Sequence, residues 1–517
     1  MTIEAVKEPA GFQAREQRRH SMRTREQYIE GLRKMRKNLY YNGSRIDRDD
    51  ELQQPALNVM GVTFDAVRDP ELKDLCTATS HLTGQTINRF CHIHQNPDDL
   101  HKKQNMTRAL CRKVGFCIQR CMGIDAVNAV NAVSFEADRS NGGNTEYHKN
   151  FLKWLEYFQT GDLVGACAQT DVKGERLKRP IQQTDPDMYL HVVEKKSDGI
   201  VVRGCKLHIS EASIADEIMV IPTRALGPDE KEYAVAFAIP ADHEGVKQVL
   251  SIHNFRGRKY YKKGFVGGYT DSYLIFDNVF VPWERVFLCG ENDHGGVCAL
   301  LFALFHRHSY SGCKPAIGDV LTGMASLAAR HNGIRKTSHV REMLSEFIKI
   351  TELGYAAGYT ASALGKPEVY IPGMGSVPYG PGSCIPNSIY ANVGRCLTGE
   401  AVFKEQEMLC SIAGGLPATF PNEGDLTDPE LKPLLEKYLM RNPDVPIEDQ
   451  IKFWMLYIDY SCSGFAGPMN YGNYHGGGSP IMEQIAITSQ YNIKLRENIV
   501  NSIAGIEELK AGTLTSL

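Results

Sequence analysis

The chain has 517 residues, with 58 Lys and Arg against 61 Asp and Glu, a net charge of −3, 42% hydrophobic and 23% charged residues. This is a globular balance, which excludes disordered and low-complexity classes, and a charge so near zero argues against a nucleic-acid partner. No apolar run reaches the ~20 residues of a membrane span, and the N-terminal MTIEAVKEPAGFQAREQRRHS has no apolar core of an export signal, so the expected compartment is the cytoplasm.

In chain order, residues 1–21 are polar and basic and read as a flexible tail. Over 22–160 the pattern is helical: Tyr28, Leu32 and Met35 recur at helical spacing among Arg and Lys. The stretch 102–122 is free of proline and predicts one long helix. Over 161–290 the runs at 189–193, 199–202, 217–221, 233–239 and 272–276 predict strands, punctuated by turns such as Ser197-Asp198-Gly199. Over 291–517 helical patterning returns, best at 318–332, 340–364, 385–410 and 447–462, with a Pro/Gly loop at 366–384. No internal repeat is present.

Cysteine is the odd feature. There are 14 in a chain with no visible export signal, so disulfides are not expected and most should be small buried apolar side chains. Cys117 and Cys121 are four apart, a spacing that on a helix puts two thiols on one face about 5–6 Å apart. Two packed core cysteines give the same spacing. His306 and Cys313 are seven apart, about 10.5 Å along a continuous helix. That is too far for neighbouring ligands, so Ser311-Gly312 is expected to break the helix and bring Cys313 back. A helix end with a glycine cap is the plain alternative. Three cysteines and one histidine suit tetrahedral zinc, or an iron–sulfur cluster with one histidine ligand; spacing does not choose between them.

Three further segments stand out. Thr170-Asp171-Val172-Lys173-Gly174-Glu175-Arg176 sits where helix gives way to strand, and suits either the polar edge of a cofactor or a charged turn. Phe276-Asp-Asn-Val-Phe-Val-Pro282 reads as a strand closing on proline. Ala413-Gly414-Gly415-Leu416 and the later His475-Gly-Gly-Gly-Ser-Pro480 let backbone come close to a ligand, or simply form loops.

Taken together, the helix–strand–helix order, TDVKGER, FDNVFVP and AGGL resemble the acyl-CoA dehydrogenase-like flavoproteins, and among them the 4-hydroxyphenylacetate 3-hydroxylase family. CIQRC at 117–121 with HRHSYSGCK at 306–314 resembles that family's dehydratase branch, which acts on 4-hydroxybutyryl-CoA and also isomerises vinylacetyl-CoA. REQYIEGLRK at 25–34, GQTINRF at 84–90, YHKNF at 147–151, and the stretches 193–206 and 309–319 match as well.

The resemblance implies an α+β, acyl-CoA dehydrogenase-like fold: an N-terminal helical domain, a middle β-barrel-like domain and a C-terminal helical bundle. It implies a [4Fe–4S] cluster on Cys117, Cys121, His306 and Cys313. FAD is expected at Thr170, Asp171, Lys173, Arg176 and the strand His208-Ile209-Ser210, with Gly414 and Gly415 reaching the FAD of a neighbouring subunit. Arg108, Gln119, Asp271, Tyr310 and Lys314 match polar active-site positions, where His306 also serves. The implied assembly is a homotetramer, a dimer of dimers, with an acyl-CoA substrate. The implied reaction is a redox-neutral radical dehydration, because no carbonyl directly acidifies the β-hydrogen that must leave.

One departure stands against this. The dehydratases carry a catalytic Glu shortly before the glycine-rich segment, whereas the stretch 469–474 here is MNYGNY, and Gly472 occupies the aligned position. Either another acid such as Asp271 takes over, or the hydroxyacyl substrate differs. Hydroxylation of a phenol by reduced flavin, and a zinc-stabilised scaffold without catalysis, are the competing readings.

Overall fold

The computed structural model describes residues 22–371, 375–377 and 383–508. The expected tail, and 372–374 and 378–382 of the expected Pro/Gly loop, therefore lie outside the described residues. The N-terminal part holds α1 (Arg25–Arg33), β1 (Leu39–Tyr41), β2 (Ser44–Ile46), α2 (Gln54–Asp65), α3 (Lys73–Cys76), β3 (Thr77–Thr79), β4 (Thr86–Asn88), α4 (Pro97–Val114), α5 (Cys121–Ser140) and α6 (Tyr147–Thr160). Local chemistry sets their ends. Thr24 and Gln27 form a reciprocal capping box on α1, and Asn96 caps α4 ahead of Pro97.

The middle part holds β5 (Gly165–Ala168), β6 (His191–Lys195), β7 (Gly199–Ser210), β8 (Glu217–Val220), β9 (Val235–Pro240), β10 (Val246–Asn254), β11 (Gly268–Pro282) and β12 (Val286–Cys289). They build a six-stranded sheet in the order β2-β1-β10-β11-β7-β6 and a four-stranded sheet in the order β12-β9-β8-β5. This corrects the barrel-like expectation. Neither sheet closes, because β2 and β6, like β12 and β5, remain unpaired edges. Strands from the helical part complete the larger sheet: β1 pairs with β10 in parallel, Leu39 opposite Gln248.

The C-terminal part is α7 (Asn292–His331), α8 (Ser338–Ala363), α9 (Ser388–Glu400), α10 (Val402–Ala413), α11 (Leu431–Leu439), α12 (Ile447–Ser461), α13 (Ala466–His475), α14 (Pro480–Gln490) and α15 (Ile493–Ile503). Its spine is α7, 40 residues long and buried along most of its length. An apolar circumference of this kind marks a helix wrapped on all sides.

Two helix expectations fail, one for a local reason and one for a tertiary reason. The stretch 102–122 is not one helix. α4 stops at Val114 because Gly115 adopts φ 89 and caps it, and α5 starts only at Cys121. Conversely, Ser311-Gly312 does not break α7. Gly312 is small because α4 lies against it: an added Cβ would sit 2.5 Å from the Gln104 carbonyl oxygen. Pro315 lies inside the same helix and has no N–H for the Ser311 carbonyl. Gln104 Nε2 takes that role, donating to Ser311 O at 3.1 Å. The helix thus stays continuous through both residues.

Candidate active site

The thiol side of the site begins where α4 ends. The Tyr460 hydroxyl donates to Gly115 O at 2.7 Å and fixes the exit of the chain. Residues 116–120 then cross without helix, with Gln119 at φ 61 and its Oε1 buried without a partner. Cys117 lies in this loop and Cys121 on the first turn of α5, so the pair does not ride one helix face. The thiols still meet. Cys117 bears electrostatically on Cys121, on Cys313 of α7, and on Cys111, a fourth thiol. The contact with Cys117, and burial after it, push the Cys121 thiol well above its ordinary range. For Cys313 the same contact pulls down, but burial and the neighbouring thiols outweigh it and the shift is upward. Crowded neutral thiols of this kind release protons when a metal binds.

His306 joins them through a carboxylate. A ring nitrogen of His306, Cys121 Sγ and an Asp125 oxygen all lie within 4.8 Å of one another. Asp125 Oδ2 is 3.1 Å from His306 Nδ1, and Asp125 also accepts from Lys103 Nζ at 2.6 Å and from Ser309 Oγ at 3.0 and 2.9 Å. With Nδ1 donating to a buried carboxylate, Nε2 keeps a free lone pair, which is how ligating histidines are held. Among the described residues the group that closes within 4.8 Å is Cys121, Asp125 and His306, while Cys313 stands two turns from His306 on the continuous α7, so the donors suit a multi-iron cluster with ligands on separate irons rather than a single ion.

Tyr310 follows His306 by one turn, its ring edge-to-face with the imidazole at 5.4 Å. Its hydroxyl donates to Gly472 O at 2.8 Å, and the Arg395 guanidinium stacks 4.3 Å from the ring centroid. Lys314, next to Cys313, is buried in an ion pair with Glu405. Arg108 is placed differently. It pairs with Asp319 at 3.1 Å and Glu352 at 2.7 Å, tying α4 to α7 and α8 six residues beyond Cys313.

The sheet side is built mainly from backbone. Leu207 N donates to Thr170 O at 2.8 Å, which lays the 170–176 loop beside β7. Asp171 is buried and spends its carboxylate on Leu190 N, Lys206 Nζ and the Thr223 hydroxyl, so it pins the loop. Lys173 and His208 both take left-handed backbone, at φ 74 and 62. Burial, then Arg176, lowers the Lys173 amine, with Arg224 and Lys206 adding to it against Asp171. Burial likewise lowers the His208 imidazole; Asp271 opposes this, while Lys173, His475 and Arg176 add to it. The loop cations, the end of β7 and the glycine-rich segment at His475 therefore face one region. Lys173, Arg176 and Arg224 have no carboxylate in ion-pair contact among the described residues, which suits an anionic ligand such as a dinucleotide. Gly414, at φ 68 and ψ −160, and Gly415 lie exposed after α10.

The two sides meet at Tyr269. Its hydroxyl is buried without a partner. Burial raises its phenol, and Asp271, Tyr310, Cys117 and Glu211 all press in the same direction. Asp271 lies opposite Ser210 in the β11–β7 ladder and accepts its hydroxyl at 2.5 Å. Asp125, Lys103, Ser309, Tyr269, Arg224 and Arg395 were not read from the sequence. One signal existed: Asp125 stands four residues after Cys121, on the same face of α5.

A helical bundle that gathers ligand side chains, set against two open sheets that present unpaired cations, matches one known class. The model of the 4-hydroxyphenylacetate 3-hydroxylase N terminal covers residues 24–288, and that of the C terminal covers 297–505, so the chain belongs to the 4-hydroxyphenylacetate 3-hydroxylase family. Within it, the 4-hydroxybutyryl-CoA dehydratase/vinylacetyl-CoA-Δ-isomerase of Clostridium aminobutyricum is 37% identical over 502 residues, 94% of this chain and 99% of that protein. An oxygen-tolerant archaeal 4-hydroxybutyryl-CoA dehydratase from N. maritimus matches with a TM-score of 0.87 at 31% identity, over 95% of this chain and 96% of that one. The oxygenase component of 4-hydroxyphenylacetate 3-monooxygenase complexed with FAD shares the fold, with a TM-score of 0.79 at 24% identity over 93% and 98% of the two chains.

Proposed function

We propose that the protein is a hydro-lyase that dehydrates a 4-hydroxyacyl-CoA thioester, 4-hydroxybutyryl-CoA to crotonyl-CoA and water, with vinylacetyl-CoA Δ-isomerase activity. The observation that carries this is the gathering of Cys121 and His306 on Asp125, with Cys117 bearing on both Cys121 and Cys313. Phenol hydroxylation, the activity named for other relatives, has no use for such a ligand set. Cys117, Cys121, His306 and Cys313 would hold a [4Fe–4S] cluster. Lys173, Arg176, Thr170, His208 and Ser210 would hold FAD, with Asp171 fixing the loop and Gly414-Gly415 serving a neighbouring subunit. Bound together, the two groups supply one-electron chemistry and Lewis acidity.

The chain's own residues do the rest. Asp125 fixes the ring of His306 and steadies its positive charge whenever the imidazole takes a proton. Asp271, set by Ser210, is a base for an acidic C–H of the substrate. Tyr310 holds a proton beside His306, Lys314 stands by Cys313 in its pair with Glu405, and the buried, unpartnered Gln119 Oε1 accepts from a substrate donor. Phe116, Phe255 and Phe465 pack with centroids 4.3–5.5 Å apart beside Cys117 and keep water out. Arg108 acts by locking α4 to α7. Ile481, Met482, Ile485, Ile493, Val500 and Ile503 are exposed on α14 and α15, an apolar surface that supports the tetramer. Among the described residues, no helix is long and apolar enough to cross a membrane.

Anaerobic purification with iron, sulfide and flavin analysis tests the reading, followed by assay with 4-hydroxybutyryl-CoA. A brown protein with about four iron, four sulfide and one FAD per chain, and turnover, is expected. A yellow, iron-free protein that hydroxylates phenols overturns it, as does a colourless zinc protein. Gly472, which offers no carboxylate, favours one variant: the same cofactors with a different hydroxyacyl chain. A panel of 4- and 5-hydroxyacyl-CoA thioesters separates the two.

A further inference from the structure

Glu211 is an anomaly. It follows Ser210 at the end of β7, where its N–H donates to Thr270 O at 2.9 Å. Its backbone sits at φ 60 and ψ 8, a left-handed conformation that side-chain-bearing residues adopt only under constraint. It is 3% exposed, and neither carboxylate oxygen has a hydrogen-bond partner. Among the described residues no cation offsets it; Asp271, the partner of Ser210 in the ladder, presses on its charge, the Thr270 backbone alone eases it, and Tyr28 and Tyr269 are the phenols that feel it. Strained backbone and an unsatisfied buried acid are both destabilising, so their coincidence calls for a use. The surroundings offer one. The segment 469–475 under Tyr310 brings no acid, so Asp271 and Glu211 are the carboxyls facing Tyr269, where the two sides of the site meet.

We propose that Glu211 is the general acid of this site, paired with Asp271 as base. The inference rests on the dehydratase reading. Asp271 takes a proton from an acidic C–H of the acyl chain; that C–H bond breaks, its electrons stay on carbon, and an O–H forms on Asp271. Glu211 gives its proton to the substrate hydroxyl as the C–O bond breaks with its electron pair on oxygen, and water leaves. The proton on Asp271 then restores Glu211. The second C–H proton is taken by His306, whose charge Asp125 offsets, and is returned to the terminal carbon; of the two C–H electron pairs left on carbon, one becomes the new C=C bond and the other the terminal C–H. Burial first, and the charge of Asp271 second, hold the Glu211 carboxyl well above the usual carboxylate range, so it carries a proton at neutral pH. A buried carboxyl kept protonated in this way is a recurrent general acid.

The test is Glu211→Gln, which copies the shape of a neutral carboxyl but has no proton to give. The variant should keep its iron, sulfide and flavin and a KM within about threefold, while kcat falls by at least about a hundredfold. The infrared carbonyl band of a protonated carboxyl in the resting wild type should vanish with it. Glu211→Gly, which relieves the backbone, should melt about 1–3 °C higher and be as inactive. Turnover by Glu211→Gln within threefold of wild type, or no such band in the wild type, overturns the assignment alone. A wild type that dehydrates no hydroxyacyl-CoA overturns the dehydratase reading, and this role with it.

Discussion

The two halves of the site solve opposite problems. On the helical side, ligand atoms are crowded together: the thiols bear on one another, Cys313 donates only weakly to Tyr310 O at 3.8 Å, and His306 turns one nitrogen to Asp125. On the sheet side, the acid is consumed internally and what remains free is cationic, since Asp171 is saturated by Leu190, Lys206 and Thr223. The first arrangement awaits positive charge and the second awaits negative charge. The contrast implies two loading events with separate determinants, joined at Tyr269.

The strongest way to break this picture is to remove one thiol. Cys313→Ala should lose nearly all iron and sulfide, and more than about a thousandfold in turnover, while FAD content stays near wild type. Loss of FAD in the same variant would show that the halves are one unit. Asp125→Asn cuts deeper into the fold. It leaves Lys103 buried without its counter-charge, a loss of about 3–5 kcal/mol in urea unfolding. Lys103→Met with Asp125→Asn should recover most of that stability yet still bind iron poorly, which separates the support of His306 from the burial of a charge. From the other side, Lys173→Ala and Arg176→Ala should each weaken FAD about tenfold in titrations of the apoprotein and leave iron unchanged. Iron loss there would collapse the comparison.

The difference also explains what could be read in advance. The helical half is made of side chains of rare chemistry, so Cys117, Cys121, His306 and Cys313 stood out as letters. Their geometry did not. The α4 stop depends on one glycine at φ 89, and the continuity of α7 depends on Gln104 supplying the bond that Pro315 cannot. The first is a glycine cap, a local signal that the proline-free run masked; the second is a tertiary fact that no local pattern encodes. The sheet half is legible only as strand runs, because its function resides in backbone at left-handed φ and in cations gathered from separate loops, Arg224 among them. Closure is equally hidden: the strand runs are those of a barrel, and only the pairing order shows two open sheets. Asp271 comes from the family resemblance, whereas nothing in the sequence points to Glu211.

Glu483 on α14 gives the finest test, because it supports the helical half from behind. It lies buried 3.8 Å from Arg307 Nε and 3.6 Å from Arg395 Nε, and Arg395 in turn stacks on Tyr310. Burial raises its carboxyl to about 7, with Arg395 and Arg307 pulling the other way. In the unfolded chain the group titrates near 4.5. Between those values the folded state binds more protons, so stability contributed by the neutral form is full below 4.5 and is lost as pH rises through 7. Urea unfolding from pH 5 to 8 should therefore show a decline that Glu483→Gln flattens, with the variant ahead of wild type by about 1 kcal/mol at pH 8. If the variant instead loses stability at pH 8, the carboxylate is ionised between its two arginines and the helical half is braced by charge. In that case the crowding of neutral donors would stop at the thiols, and Tyr310 would owe its position to a fixed ion pair.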